Sequence, residues 1–186
     1  IKILGDEKDG KLIAKKIINY RKTKPIKTAE ELSFIINEAK RNYSNYKKNP
    51  STKTFQAIRI FVNQELTQLV LGLIEATKLL ASGGILILVS FHSLEDRIIK
   101  HFLNSYSNLK KNPSRYVPLE KNKNCLFKII DKKPIKPDEK EIFNNIRSRS
   151  AKLRYGIRND KSFSGMEEFK KKCKKYFEIE GIKIWL

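Results

Sequence analysis

Cysteine and histidine are scarce in this chain of 186 residues: Cys125 and Cys173 stand alone, and only His92 and His101 accompany them. A structural zinc site needs four such ligands in closely spaced pairs, so no metal centre of the Cys/His type is expected. No apolar stretch approaches the roughly 20 residues that cross a bilayer. The opening residues also lack the charged, apolar, small-residue succession of a secretory signal. A cytoplasmic location without a membrane partner is therefore the expectation. Methionine is nearly missing as well. The chain begins with Ile1 and its one methionine is Met166, the pattern expected of a piece of a longer protein.

What is abundant is positive charge, with 40 Lys and Arg against 20 Asp and Glu, a net charge of +20. Neutralisation of phosphates supplies most sequence-independent affinity for nucleic acid, so a polyanion is the natural partner. Many of the lysines sit among Asn and Ile, and a biased composition or a solvated face would give the same excess. The apolar content of 40% is enough for a globular core.

One run stands out. Gly83-Gly84-Ile85-Leu86-Ile87-Leu88-Val89 is wholly apolar after its glycines and ends abruptly in Ser90-Phe91-His92-Ser93-Leu94-Glu95-Asp96-Arg97. Consecutive aliphatic residues without alternation read as a strand buried on both faces of a parallel sheet. Ligands of open α/β sheets bind outside the carboxyl ends of such strands, here Ser90 to Ser93. Ser90 and Ser93 lack the glycine-flanked elbow of a hydrolase nucleophile. His92 with Glu95 or Asp96 could ligate a metal and support a nuclease, but both acids are explained more simply in the first turn of a helix capped by Ser93. His92 is then either a site member or a hydrogen-bonded loop residue.

Elsewhere, Leu12, Ile13, Ile17 and Tyr20 mark an amphipathic helix, Pro25 interrupts it, and Thr28-Ala29-Glu30-Glu31 is a capping box for the next. Residues 40–54 have no sustained period and read as a connection. A seam of Phe55, Ile58, Val62, Leu66, Leu69, Leu73, Ala76 and Leu80 predicts one long helix, or two broken near Asn63, ended by Ala81-Ser82-Gly83-Gly84. A polar loop is expected over 105–124, a strand over Leu126 to Ile130, and a strand from Ala151 to Ile157, whose apolar odd positions and basic even positions predict one exposed, basic face. Met166, Phe169, Cys173 and Tyr176, set among Lys170 to Lys175, predict a basic final helix. The parts are a helical subdomain over 1–50, an α/β domain over 51–160 and a tail over 161–186.

Arg147, Arg149, Lys152 and Arg154 place four cations in eight residues, interleaved with hydroxyls. Arginine forks suit phosphate oxygens, which makes this segment a candidate nucleic-acid contact. An edge strand protected from self-pairing by charge would look the same. Arg59, on the polar side of the long helix, is a further candidate or a solvated residue.

Three segments taken together carry a resemblance: Thr54-Phe55-Gln56-Ala57-Ile58-Arg59-Ile60-Phe61-Val62-Asn63-Gln64-Glu65-Leu66, then Gly83 to Arg97, then Arg147-Ser148-Arg149-Ser150-Ala151-Lys152-Leu153-Arg154. In order and spacing they resemble the RsmH (MraW) family of small-subunit ribosomal RNA cytosine-N4 methyltransferases, over roughly Leu4 to Asn159. The resemblance implies α/β architecture: the second half of a class I Rossmann-like methyltransferase sheet with part of an inserted helical subdomain. It implies S-adenosylmethionine as methyl donor and small-subunit ribosomal RNA as partner.

The family's glycine-rich donor loop, acidic ribose contact and catalytic aspartate lie in its first half, and the eight glycines here include no G-x-G. Donor binding is thus not expected of these residues, nor methylation by the chain alone. Ser90, Phe91, His92 and Ser93 would border the pocket receiving the cytosine, with Phe91 stacking and Ser90 or His92 bonding the base edge. Arg59, Arg147, Arg149, Lys152 and Arg154 would hold RNA. The alternative is a noncatalytic, basic RNA-binding module.

Overall fold

The computed structural model describes residues 1–40, 49–107, 125–163 and 166–182, so most of the two predicted connections, residues 41–48 and 108–124, lies outside the described residues. The chain divides into two compact units, Ile1–Glu65 with Ile179–Leu186, and Leu66–Glu178.

The first unit holds α1 (Gly10–Arg21), α2 (Ala29–Ala39) and α3 (Thr52–Asn63). Thr28 caps α2, its hydroxyl accepting from the Glu31 amide at 3.1 Å, while the Glu31 carboxylate accepts from the Lys27 amide at 2.8 Å. The expected cap is present, with its acid reaching one residue further back. Leu4, Ile13, Ile35, Ile36, Ala57 and Ile60 form the buried apolar set, whereas Leu12 is half exposed. Inside this unit the ammonium of Lys40 meets the carboxylate of Glu7 and donates to the Pro50 carbonyl, both charged residues being 4% exposed. Burial works to raise the Glu7 carboxyl, but its bonds with Lys40 and the Asp9 amide outweigh that and hold it below the usual carboxylate range.

Gln64, with φ 52°, ends α3 in the left-handed conformation, and α4 (Glu65–Leu79) starts at the next residue. That break re-phases the helical seam. Ile58 and Val62, expected inside, are exposed, and the buried positions are Thr54, Ala57 and Ile60 in α3, then Leu66, Val70, Leu73, Ile74 and Thr77 in α4.

In the second unit α4 is followed by β1 (Ile85–Ser90), α5 (Ser93–Ser105), β2 (Phe127–Lys128), α6 (Glu139–Asn144), a 3-10 helix (Ile146–Ser150), β3 (Lys152–Arg158) and α7 (Glu167–Glu180). Gly83, at φ 80°, makes the turn into β1, and its amide donates to the Arg158 carbonyl. The sheet runs β1-β3-β2, antiparallel throughout, with Ile85 opposite Ile157, Ile87 opposite Tyr155 and Val89 opposite Leu153. Directly opposed residues share a face. Ile85, Ile87, Val89, Leu153, Tyr155 and Ile157 therefore form one apolar face, and Leu86, Leu88, Ser90, Lys152, Arg154 and Gly156 the other, which meets α5.

Two expectations are corrected by that register. The β1 run is not buried on both sides: Ile85, Ile87 and Val89 are 54%, 58% and 51% exposed. Nor is the basic face of β3 the outward one. Its even residues turn toward α5, where a carboxylate awaits them, and Gly156 leaves the room that Ile129, Phe127 and Leu103 fill, since a Cβ there would come within 2.9 Å of Ile129 Cδ1.

At the far end of β3, Arg158 is buried with no carboxylate partner among the described residues. Its guanidinium donates to the carbonyls of Leu126, Asn159 and Lys161 and to Asn159 Oδ1. Tail residues Met166, Phe169, Cys173 and Tyr176 are all buried, as their spacing predicts. Phe169 joins Phe102 at 5.1 Å and Tyr106 at 6.3 Å in edge-on aromatic contacts, which fasten α7 to α5. Burial pushes the Cys173 thiol up to about 11, so it acts as an inert core residue. Among the described residues no single helix is long and apolar enough to cross a membrane.

Candidate functional site

β1 delivers Ser90, Phe91, His92 and Ser93 to one place, the turn into α5, where Ser90, Phe91 and His92 differ in what they do. Ser90 is 2% exposed and its hydroxyl donates to the Lys152 carbonyl at 3.4 Å across the sheet. His92, in extended conformation at φ −137° and ψ 164°, is the N-cap of α5, and its Nδ1 accepts from the Glu95 amide. The cap expected at Ser93 thus lies one residue earlier, because imidazole nitrogen can replace a hydroxyl as acceptor. Nδ1 acting as acceptor leaves the ring proton to Nε2, which stands 3.2 Å from Glu95 Oε1.

Glu95 closes the box from its side, accepting from the Phe91 amide at 2.9 Å and the His92 amide at 3.4 Å. Its burial works to raise the carboxyl, and the His92 and amide bonds bring it below the ordinary range instead. Asp96 does something the sequence did not reveal. It accepts from Lys152 Nζ at 2.8 Å and from Arg154 Nε at 2.7 Å, joining the first turn of α5 to β3. Burial of Asp96 is again outweighed, by Arg154 and then Lys152, and the carboxyl sits low. With period-2 spacing, two cations on β3 face one way; a carboxylate waiting on another element is the kind of signal that only a known fold could supply.

Phe91 is the large apolar member of the turn left facing outward, 56% exposed, and Ser93 is exposed beside it. The five cations named from the sequence differ in state. Lys152 and Arg154 are committed to Asp96, and Arg154 also donates to the Lys132 carbonyl at 3.1 Å. Arg59, in the first unit, has its guanidinium fork filled by Glu65, at 2.7 and 2.9 Å. Arg147 and Arg149, in the 3-10 helix, are exposed and carry no ion pair among the described residues.

The amides of Phe91, His92 and Glu95, three of the groups that an anionic ligand would take at a strand-to-helix turn, are all used within the capping box.

Comparison with known proteins decides the family. A family model described as the MraW methylase family matches residues 1–158. The chain belongs to that family. Among curated relatives it is 48% identical over 150 residues to the Ribosomal RNA small subunit methyltransferase H of Ehrlichia canis, covering 81% of this chain and 48% of that protein. Proteins of the same name from a Sulfurihydrogenibium species and from Alteromonas mediterranea are 45% and 46% identical, covering 85% and 83% of this chain. The chain spans about half the length of these relatives. Helix α7 lies beyond the last matched residue of the MraW methylase family model.

Proposed function

We propose that these residues form the RNA-facing half of a methyltransferase that transfers a methyl group from S-adenosylmethionine to the N4 atom of a cytosine in small-subunit ribosomal RNA. The observation that carries this reading is the end of β1, where Phe91 projects, 56% exposed, from a turn closed by the His92–Glu95 capping box. An exposed aromatic at the carboxyl end of a strand is placed to stack on a base taken out of its helix. Ser90 and His92 serve that role at one remove, by fixing the turn. Arg147 and Arg149 supply free forks for flanking phosphates. The donor is held by the portion of the family fold that these residues do not represent, so the chain alone does not methylate.

The test uses the full-length polypeptide with labelled donor and small ribosomal subunits. Phe91→Ala is expected to lower kcat/KM about tenfold or more, in line with the loss of one base stack, and the 186-residue chain alone should transfer no label. Undiminished turnover by both Phe91→Ala and His92→Ala proteins would remove the base-pocket role.

The apolar face of Ile85, Ile87, Val89, Leu153, Tyr155 and Ile157 fits the same reading. In a Rossmann-like sheet both faces are covered, and we place the remaining half of the family fold over this face and along the edge of β1 not paired to β3. A bare face of this composition is adhesive. The isolated chain should therefore associate at micromolar concentration by light scattering; a monomer with one cooperative calorimetric transition would contradict the placement.

A further inference from the structure

Helix α1 carries charge of one sign. Lys11, Lys15, Lys16, Arg21 and Lys22 are exposed, and no acidic residue stands between Asp9 and Glu30. None of these five cations forms an ion pair among the described residues. Lys22 closes the helix in helical conformation, at φ −69° and ψ −25°. At 3.6 residues per turn Lys11, Lys15 and Lys22 fall within an arc of about 40°, and at 1.5 Å per residue they span about 17 Å along the axis. Such a row works against the helix that bears it. Lys11 stands in the first turn, where the helix dipole favours a carboxylate and no acid is present. Lys15 follows it four residues on, a like-charge pair that destabilises a helix. Elsewhere exposed cations meet an acid close by in sequence: Arg59 meets Glu65, Lys78 meets Glu75, Lys170 meets Glu167 and Lys174 meets Glu178. A biased composition accounts for the number of lysines, and not for their gathering on this helix without an acid.

The remaining faces of α1 narrow the choice of anion. A helix lying on a membrane needs one continuous apolar face, but Ile13 is fully buried and α1 packs on α2. Leu12 and Ile18, its exposed apolar residues, are about 120° apart on either side of the lysine row. Nor does α1 offer a platform for a base: Tyr20 is half-buried, and the Lys24 ammonium stands 5.3 Å from its ring centroid. Cations in line, without a ring to stack on, suit a run of phosphates. We propose that the row Lys11, Lys15 and Lys22 docks the phosphate backbone of a double-helical segment of ribosomal RNA, whatever its sequence. This rests on the RNA-facing reading above and gives the helical unit a task in it, that of holding the substrate by its backbone while the β1 turn meets the base.

The experiment uses the full-length polypeptide and two fluorescein-labelled RNA hairpins of unrelated stem sequence, titrated across a salt series. A triple variant, Lys11→Gln, Lys15→Gln and Lys22→Gln, should bind both hairpins about tenfold or more weakly, and its salt slope should flatten by about 2–3, taking about 0.9 for each phosphate contact on a duplex. Glutamine matches lysine in helix propensity, so circular dichroism should not change, and the thermal midpoint should hold or rise as the like charges are removed. A charge-matched control carries Lys171→Gln, Lys172→Gln and Lys175→Gln on α7 and should keep the parent affinity and slope. Equal loss in that control would assign the effect to the net charge of the chain and overturn the row. Parent affinity and slope in the α1 variant, with turnover still falling in Phe91→Ala, would overturn the row and leave the RNA-facing reading standing. No hairpin binding by the parent protein, together with undiminished turnover in Phe91→Ala and His92→Ala, would overturn both. Binding to phosphatidylserine vesicles that the α1 variant loses, with hairpin affinity unmoved, would make the row a membrane contact and overturn the proposal.

Discussion

Replacing Lys40 with methionine is expected to destabilise the helical unit by about 3–5 kcal/mol, read from urea denaturation. The size follows from what is left behind. Glu7 is buried, its carboxylate accepts from the Lys40 ammonium and the Asp9 amide, and removal of the cation strands a negative charge away from water. Methionine fills much of the lysine's volume, so the loss reports charge and hydrogen bonding more than packing. Neutralising the acid as well, in Glu7→Gln with Lys40→Met, should recover most of the loss, because a neutral amide still accepts from the Asp9 amide and strands no charge. A single Lys40→Met protein within about 1 kcal/mol of the parent would show that the pair is solvated in solution.

The second large effect belongs to Asp96. Asp96→Ala removes the acceptor shared by Lys152 and Arg154, and Arg154, whose side chain is 10% exposed, keeps only the Lys132 carbonyl among the partners described. A loss of about 2–3 kcal/mol is expected, with α5 loosened from β3 and the turn carrying Phe91 freed with it. Acid should reproduce the substitution. The folded Asp96 carboxyl lies below its ordinary value, so its contribution is present above that value and is lost as pH falls through the folded one. Glu95, shifted the same way, behaves alike. The stability difference between parent and Asp96→Ala chains should therefore shrink steadily below about pH 4. A difference that stays constant down to pH 2 would mean that Asp96 acts through packing.

How much of this was legible in the sequence depends on whether the deciding contact was local. Thr28 and the glycines before β1 act on neighbours a few residues away, and they do what their positions imply. His92 shows the limit of that logic: a preference for hydroxyl caps pointed to Ser93, whereas the strand sets the chain's exit so that the imidazole reaches the Glu95 amide first. The helical seam from Phe55 breaks where the sequence allowed, beside Asn63, and Leu66 and Leu73 are buried as expected, but the left-handed Gln64 resets the phase so that Ile58 and Val62 are exposed. β3 gave the right periodicity and the wrong face, because alternation fixes which residues share a side and not what the side meets. At the candidate site, the cluster at the strand end was visible as a cluster; the division of labour within it depends on Asp96 reaching residues 56 and 58 positions away.

The two ends of β3 are fastened by different chemistry. Near Lys152 the fastener is a carboxylate, which protons can switch off. At Arg158 it is a ring of carbonyl oxygens around a guanidinium, with no carboxylate among the described partners. Acidification should thus loosen this strand from one end only, freeing the turn beside Phe91 while the Arg158 end stays fastened.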